Sequence, residues 1–385
     1  MVIYLDNSAT TRIDNSVIDE MTKFAKDYYA NPSSLYSSAL ETRNKIEDAR
    51  AKIARFINAE PEEIIFTSGA TESNNFALKG LALANPTKKH IITSAIEHPS
   101  ILNTCKTLEK LGYEVDYIKV DHDGLVNIND IKKKIRDDTL VVSIMFVNNE
   151  IGTIEPIEEI ADICKKKDVY FHTDAVQGFK KLPIDVKKMN IDLLSMSGHK
   201  INAPKGIGFL YIKGGVRIKR FIDGGEQELR LRAGTENVLG IIALAKALDV
   251  DLESDKVKDV RNYLVEKIKT MKNAIINGSM KNRIYNNLNV SFYGIEGEGL
   301  MLLLDKDNIC VSTGSACSSR NLEESHVLKA INVDPMYIHG SVRITLDKEI
   351  SKDDIDFFFN KLNIAVQKLS QMSPFKFEDE KTKNN

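Results

Sequence analysis

Residues 41–57, ETRNKIEDARAKIARFI, bring apolar side chains round at Ile46, Ala49, Ile53 and Phe56, the spacing of one helical face. The stretch that follows, EIIFTSGATESNNFALKGL, reads as a strand, a turn of small residues and another helix. Five further runs, HIITSAIEHPS, LVVSIMFVNNE, VYFHTDAVQ, IDLLSMSGHK and GIGFLYIK, are short, apolar and end at polar or glycine-rich turns, as buried strands do. Helical patterns lie between several of them. That alternation predicts an α/β protein with a mostly parallel sheet covered by helices on both faces. After about residue 255 the texture changes. A helix carrying Val257, Val260, Leu264, Ile268 and Met271 leads into the strand-like segments NNLNVSFYG, NICVSTGS and GSVRITL. A last helix starts at Ser351, with Asp354 placed for a capping box, and presents Ile355, Phe358, Leu362, Val366 and Leu369. The expected organisation is a large unit over 15–255 and a smaller α+β unit built from 1–14 and 256–385. The charged tail FKFEDEKTKNN is expected to fray.

Composition narrows the classes. A chain of 385 residues with 42% hydrophobic and 28% charged residues is long enough for a large core and ordinary for a soluble globular protein. The formal net charge of -2 gives no nucleic-acid footprint. The runs Lys132–Lys134 and Lys165–Lys167 read as solvated helix faces. There is no signal-peptide pattern and no long apolar run, so neither a leader nor a membrane span is expected. Four cysteines in a chain this long make no disulfide framework, which fits a reducing cytoplasm.

The polar residues cluster at strand ends, where open α/β sheets bind ligands. Ser68-Gly69-Ala70-Thr71 would leave bare backbone N–H groups at a helix N-terminus, an anion site, although an ordinary strand-to-helix turn has the same look. Asp174 closes an apolar strand, so it wants a cation or caps the next turn. Lys200 closes SMSGHK; a partly desolvated lysine there is a carbonyl nucleophile, and a surface lysine past a strand end is the alternative. Taken together, an anion cradle, a strand-end carboxylate and a strand-end lysine are three parts of a pyridoxal phosphate site: one holds the phosphate, one keeps the pyridine nitrogen protonated, one forms the Schiff base.

The motifs YLDNSATT, NPSS, FTSGATESNN, IEHPS, VNNEIGTI, HTDAVQ, SGHK, APKGIGFLYI, RAGTENV, STGSACSS and HGSVRITL, spread over the chain out to about Ser373, make the sequence resemble the NifS/IscS-type cysteine desulfurases. These belong to the fold-type I pyridoxal phosphate enzymes, and SACSS resembles their group I branch, with its long cysteine loop. The resemblance implies a large domain with a mostly parallel seven-stranded sheet, and a small domain carrying the loop at about 313–325. Lys200 would hold the cofactor, Asp174 would pair with the pyridine nitrogen, Gln177 would donate to the phenolic oxygen and His98 would stack on the ring. Ala70, Thr71, Ser197 and His199 would hold the phosphate, with Thr235 reaching it from the other subunit of a homodimer. Asn149 and Arg343 would bind the substrate carboxylate. Cys317 would take the sulfur of L-cysteine as a persulfide, leaving L-alanine, and pass it to an acceptor protein, an iron–sulfur scaffold or a tRNA-thiolating enzyme. Only a thiolate can do this, and a loop of small residues would let it move between substrate and acceptor.

Another fold-type I enzyme, such as a small-amino-acid aminotransferase, would keep Lys200 and Asp174 without needing Cys317. Cys105, Cys164 and Cys310 read as small core hydrophobes. The sequence departs from the family pattern at Tyr36 and Ala39, and at Glu226, Leu229, Arg230 and Ala233 within GGEQELRLRAGT.

Overall fold

The computed structural model of the protein describes residues 2–313 and 324–377. Cys317 and most of its expected loop lie outside the described residues.

A two-residue strand β1 (Ile3–Tyr4) opens the chain. The main sheet follows: β2 (Ile64–Thr67), β3 (His90–Ser94), β4 (Glu114–Ile118), β5 (Thr139–Ser143), β6 (Tyr170–Asp174), β7 (Leu193–Ser197) and β8 (Gly208–Ile212). Its seven strands run in the order β2-β8-β7-β6-β5-β3-β4. Only β8 runs against its neighbours, so the sheet is mostly parallel as the pattern predicts. Alternate residues feed two cores. Leu193, Leu210 and Ile91 pack against Phe76, Leu81 and Ile101 of the helices Ala70–Ala84 and Pro99–Lys110. Leu194, Phe209 and Ile92 belong to the opposite face, with Ile46 and Ile53 of the helix Ser37–Phe56. That helix buries Ile46, Ala49 and Ile53 as predicted, but Phe56 is 40% exposed and Ile57 is the buried residue.

The last third forms β9 (Ala274–Ile276), β10 (Asn287–Phe292), β11 (Ile309–Cys310) and β12 (Ser341–Thr345). An antiparallel sheet runs β12-β10-β9, and β11 pairs in parallel with β1. Helices Ser254–Ile268 and Lys352–Met372 cover it. Ile3 and Leu5 share their core with Val257, Leu264, Ile355, Phe358 and Leu362. The Ser351–Asp354 capping box forms: each side chain accepts from the other residue's backbone N–H. No helix among the described residues is long and apolar enough to cross a membrane.

Two elements differ from the pattern. β4 gives little sequence signal, because EVDYI is a half-exposed edge strand. β5 stops at Ser143 rather than running to Asn149. The buried segment beyond it keeps backbone bonds from Ile144 and Phe146 to the β6 carbonyls of His172 and Asp174, and side chains add to them: Glu97 accepts from the Met145 N–H, and Asn148 accepts from Glu150 and Ile151.

Candidate active site

The carboxyl ends of β2, β6 and β7 open into a cavity of about 620 Å³, within the range that holds a cofactor. Ala70, Thr71, His98, Asn149, Asp174, Gln177, Ser197, His199, Lys200 and Arg343 all line it. Residues as far apart in sequence as Ala70 and Arg343 are thus brought together. Thr235 is exposed and outside this cavity.

Each side chain is placed by its element. Gly69, with φ of +150° and ψ of 178°, occupies backbone space that only glycine enters readily, and it turns β2 into the helix Ala70–Ala84. The N–H groups of Ala70 and Thr71 have no acceptor among the described residues. Glu72 folds back onto the Ser68 N–H and pairs with Arg232 at 2.9 Å. Asp174 ends β6 and is buried. Its Oδ1 accepts from the Val176 N–H at 3.1 Å and its Oδ2 from the Asn74 amide at 2.7 Å, so it caps the turn and still faces the cavity. No described residue forms an ion pair with it.

His98 caps the helix Pro99–Lys110, its Nδ1 accepting from the Ser100 N–H at 3.1 Å. Capping therefore does not compete with lining the cavity. It fixes the tautomer, with the proton on Nε2 when the ring is neutral. Burial, aided by Lys200 and His326, holds the imidazole below its ordinary pKa. Asn74 also donates to Ser100 Oγ at 2.8 Å, and Ser100 Oγ lies 2.8 Å from His98 Nδ1, so Asp174, Asn74, Ser100 and His98 form one network. Burial lowers His199 to about 4, keeping it neutral beside Thr10.

Lys200 follows β7 and donates to the carbonyls of Ser8 and Ala9 at 2.5 and 2.6 Å. Gln177 donates to Ser8 at 3.1 Å, and its Oε1 accepts from Lys181 at 3.0 Å. Burial, and then the charge of Lys200, lowers Lys181 to about 7. Arg343 on β12 pairs with Asp6 at 2.8 Å and donates to the Asn149 carbonyl at 3.1 Å. Its Nε is buried without a partner, a donor that a bound carboxylate can satisfy.

A model of the class-V aminotransferase family matches residues 3–358. The chain belongs to that family. The cysteine desulfurase IscS of Dictyoglomus turgidum is 49% identical over 98% of this chain and 97% of its own length. IscS of Methanosarcina thermophila is 48% identical, covering 97% of this chain and 94% of itself. Among solved structures, a NifS-like protein superposes with a TM-score of 0.90 at 38% identity, over 96% of this chain and all of its own. SspA in complex with cysteine superposes with a TM-score of 0.81 at 39% identity, over 89% of this chain and 98% of its own.

Pyridoxal phosphate fits the residues of this class-V chain. A dianion suits the unpaired N–H groups of Ala70 and Thr71, and a pyridinium suits a buried carboxylate without a cation. The departure at 226–233 has its own support: Glu228, Leu229 and Arg230 all take left-handed φ values, 42°, 56° and 66°. Buried Glu228 ties them down, accepting from Arg50 at 2.9 and 3.0 Å and from the Phe66 N–H at 2.8 Å. Sequence reasoning passed over Ser8, Asn74, Glu150 and His326, which line or brace the cavity. The motifs NSATT, ESNN and NNE contain three of them, yet none carries a period or a spacing of its own.

Proposed function

We propose that the protein is a pyridoxal phosphate-dependent cysteine desulfurase. It converts L-cysteine to L-alanine and moves the sulfur to Cys317 as a persulfide, for delivery to an acceptor protein such as an iron–sulfur scaffold or a tRNA-thiolating enzyme. The observation that carries this reading is one cavity lined by a lysine, a buried carboxylate and a buried arginine with an unsatisfied Nε. The near full-length similarity to proteins named cysteine desulfurase supports it.

Pyridoxal phosphate supplies an electron sink that lets bonds at the substrate's Cα and Cβ break. Lys200 would hold it and would serve as the base for the Cα proton. Asp174 keeps the ring nitrogen protonated, with its own orientation set by Asn74. Gln177, its amide turned by Lys181, donates to the phenolic oxygen. His98, which lines the cavity with Nδ1 held by the Ser100 N–H, would present Nε2–H to the cofactor. Ala70, Thr71, Ser197 and His199 hold the phosphate, completed by the partner subunit's Thr235 in a homodimer. Asn149 and Arg343 fix the substrate carboxylate. In the net step the C–S bond of L-cysteine breaks, a bond forms between that sulfur and Cys317, and the carbon left behind is protonated to alanine. No direct contact with nucleic acid or membrane is invoked, and the proposed setting is the cytoplasm.

Incubating the holoprotein with L-cysteine should release alanine, and borohydride should lock the cofactor onto Lys200. Lys200→Ala should lose both while retaining some cofactor through the phosphate contacts. An active, borohydride-reducible Lys200→Ala protein would refute the assignment.

A further inference from the structure

Among the described residues His98, His199 and His326 are the histidines that line the cavity, and hydrogen bonds give the rings different directions. His98 turns Nδ1 to the Ser100 N–H and so offers Nε2–H. His199 has Nδ1 3.1 Å from Thr10 Oγ1. His326 is the reverse of His98. Its Nε2 lies 3.0 Å from the Glu97 carbonyl. A carbonyl only accepts, so Nε2 carries the proton and the neutral ring keeps a lone pair on Nδ1. That Nδ1 meets no donor among the described residues, and it is not sealed in the interior, so it opens onto the cavity that the ring lines. Burial, with the charge of Lys106, holds the imidazole below its ordinary pKa, against the Glu97 carbonyl, which pulls the other way. The lone pair is therefore available near neutral pH.

Both the ring and the carbonyl that orients it are firmly placed. His326 opens the short helix His326–Ala330, whose cap Ser325 is buried and accepts at Oγ from the Leu328 N–H at 3.1 Å. Ser325 Oγ lies 2.6 Å from Oε2 of buried Glu150, and the next residues, Val327 and Leu328, pack in the main core. Glu97 is buried, its Oε1 accepting from Ser94 Oγ at 2.6 Å and from the Met145 N–H at 2.9 Å. Its carbonyl aims His326, and the next residue in the chain is His98. The two rings are close enough for a charge on His326 to lower the pKa of His98. The cavity thus carries a hydrogen-bond donor and an acceptor on neighbouring imidazoles.

L-Cysteine brings a carboxylate, an amine and a thiol. Arg343, with its unpartnered Nε, suits the carboxylate, and Lys200 marks the place of the amine. The thiol remains. It has one S–H to give and a sulfur that accepts, which matches an Nδ1 lone pair together with an Nε2–H. Met145 and Val147 add apolar wall for the sulfur. We propose that His326 Nδ1 accepts the S–H of bound L-cysteine while His98 Nε2–H donates to the same sulfur, which makes His326 a substrate-binding residue that selects a free thiol. The inference rests on the desulfurase reading and deepens it. No covalent bond is made or broken at His326. A thiol is a weak donor, so losing this contact should weaken L-cysteine binding roughly two- to ten-fold. L-Alanine and S-methyl-L-cysteine have no S–H and gain nothing from it.

The test compares the holoenzyme with His326→Gln and His326→Asn. The glutamine amide reaches as far as Nε2, so it keeps a donor for the Glu97 carbonyl and removes Nδ1. The asparagine amide reaches only as far as Nδ1, so it keeps an acceptor for the cavity and gives up the Glu97 bond. KM for L-cysteine should rise roughly two- to ten-fold in His326→Gln and stay within about two-fold of the parent in His326→Asn. Inhibition by L-alanine and by S-methyl-L-cysteine, and bound cofactor by absorbance, should be the same in all three proteins. Nitrogen NMR of the histidine-labelled parent should place the His326 proton on Nε2. A parental KM in His326→Gln, an L-alanine inhibition that weakens in parallel, or a His326 proton on Nδ1 would each overturn the inference while leaving the desulfurase reading in place. A parent protein that makes no alanine from L-cysteine would overturn that reading itself, and the inference with it.

Discussion

Replacing Arg343 by lysine keeps the positive charge and removes the fork. In the parent, Nη2 pairs with Asp6 at 2.8 Å, Nη1 donates to the Asn149 carbonyl at 3.1 Å, and the buried Nε has no partner. A guanidinium can serve Asp6 and a substrate carboxylate at once, whereas an ammonium on a shorter reach cannot match both in one plane. Asp6 should retain the lysine, and the substrate should lose at least one charge-assisted hydrogen bond. Such a bond is worth about 1.5–3 kcal/mol, so kcat/KM for L-cysteine should fall roughly 10- to 100-fold. The carboxylate does not react, so its contact is equally strong before and during the chemistry, and the loss should lie mostly in KM. Stability should change little. Arg343→Met, by contrast, strands Asp6 and should cost about 3 kcal/mol, the low end for a broken buried pair, because Asp6 keeps some solvent. The assay is steady-state alanine release against L-cysteine, alongside competition by cysteamine, which lacks the carboxylate and should bind parent and Arg343→Lys alike. An unchanged KM in Arg343→Lys, or a cysteamine affinity that falls in parallel, would refute the carboxylate role.

Glu228→Ala leaves Arg50 and the Phe66 N–H without their buried acceptor and should cost about 3–5 kcal/mol in a denaturant titration; a loss under ~1 kcal/mol would show that the pair does not hold the 226–231 turn. Burial raises the Glu97 carboxyl from its usual 4.5 to about 8. Between those values the folded chain holds a proton that the unfolded chain has released, so this group makes stability fall as pH rises through that window. Glu97→Gln should therefore gain Tm relative to the parent on going from about pH 5 to about pH 8, and a difference that stays flat with pH would contradict the shift.

What the sequence made legible follows from where each signal arises. Lys200, Asp174 and the Ser68–Thr71 turn stand out because a polar residue closing an apolar run is visible within ten residues of chain. The strands of the main sheet are legible for the same reason, except β4, whose edge position leaves it half exposed and without alternation. The face of the helix Ser37–Phe56 is legible, but its last residue slips by one, since helix ends carry the weakest periodic signal. Asn74 on Asp174, Ser325 on Glu150 and Lys181 on Gln177 are different in kind. The first two join residues 100 and 175 positions apart, and any polar residue on a buried face could look the same until the fold brings it to its partner. Lys181 is near Gln177 in sequence, but its low pKa comes from burial that the pattern of charges does not reveal.

The central claim is tested most directly by the fate of the sulfur. The holoprotein is given sulfur-labelled L-cysteine for a single turnover, quenched by alkylation, digested, and the peptide containing Cys317 is weighed. The account predicts that this peptide alone gains one labelled sulfur atom beneath the alkyl group, in step with one alanine released, and that Cys317→Ser abolishes the label. Label on Cys105, Cys164 or Cys310, or alanine and persulfide formed at the parental rate by Cys317→Ser, would contradict it.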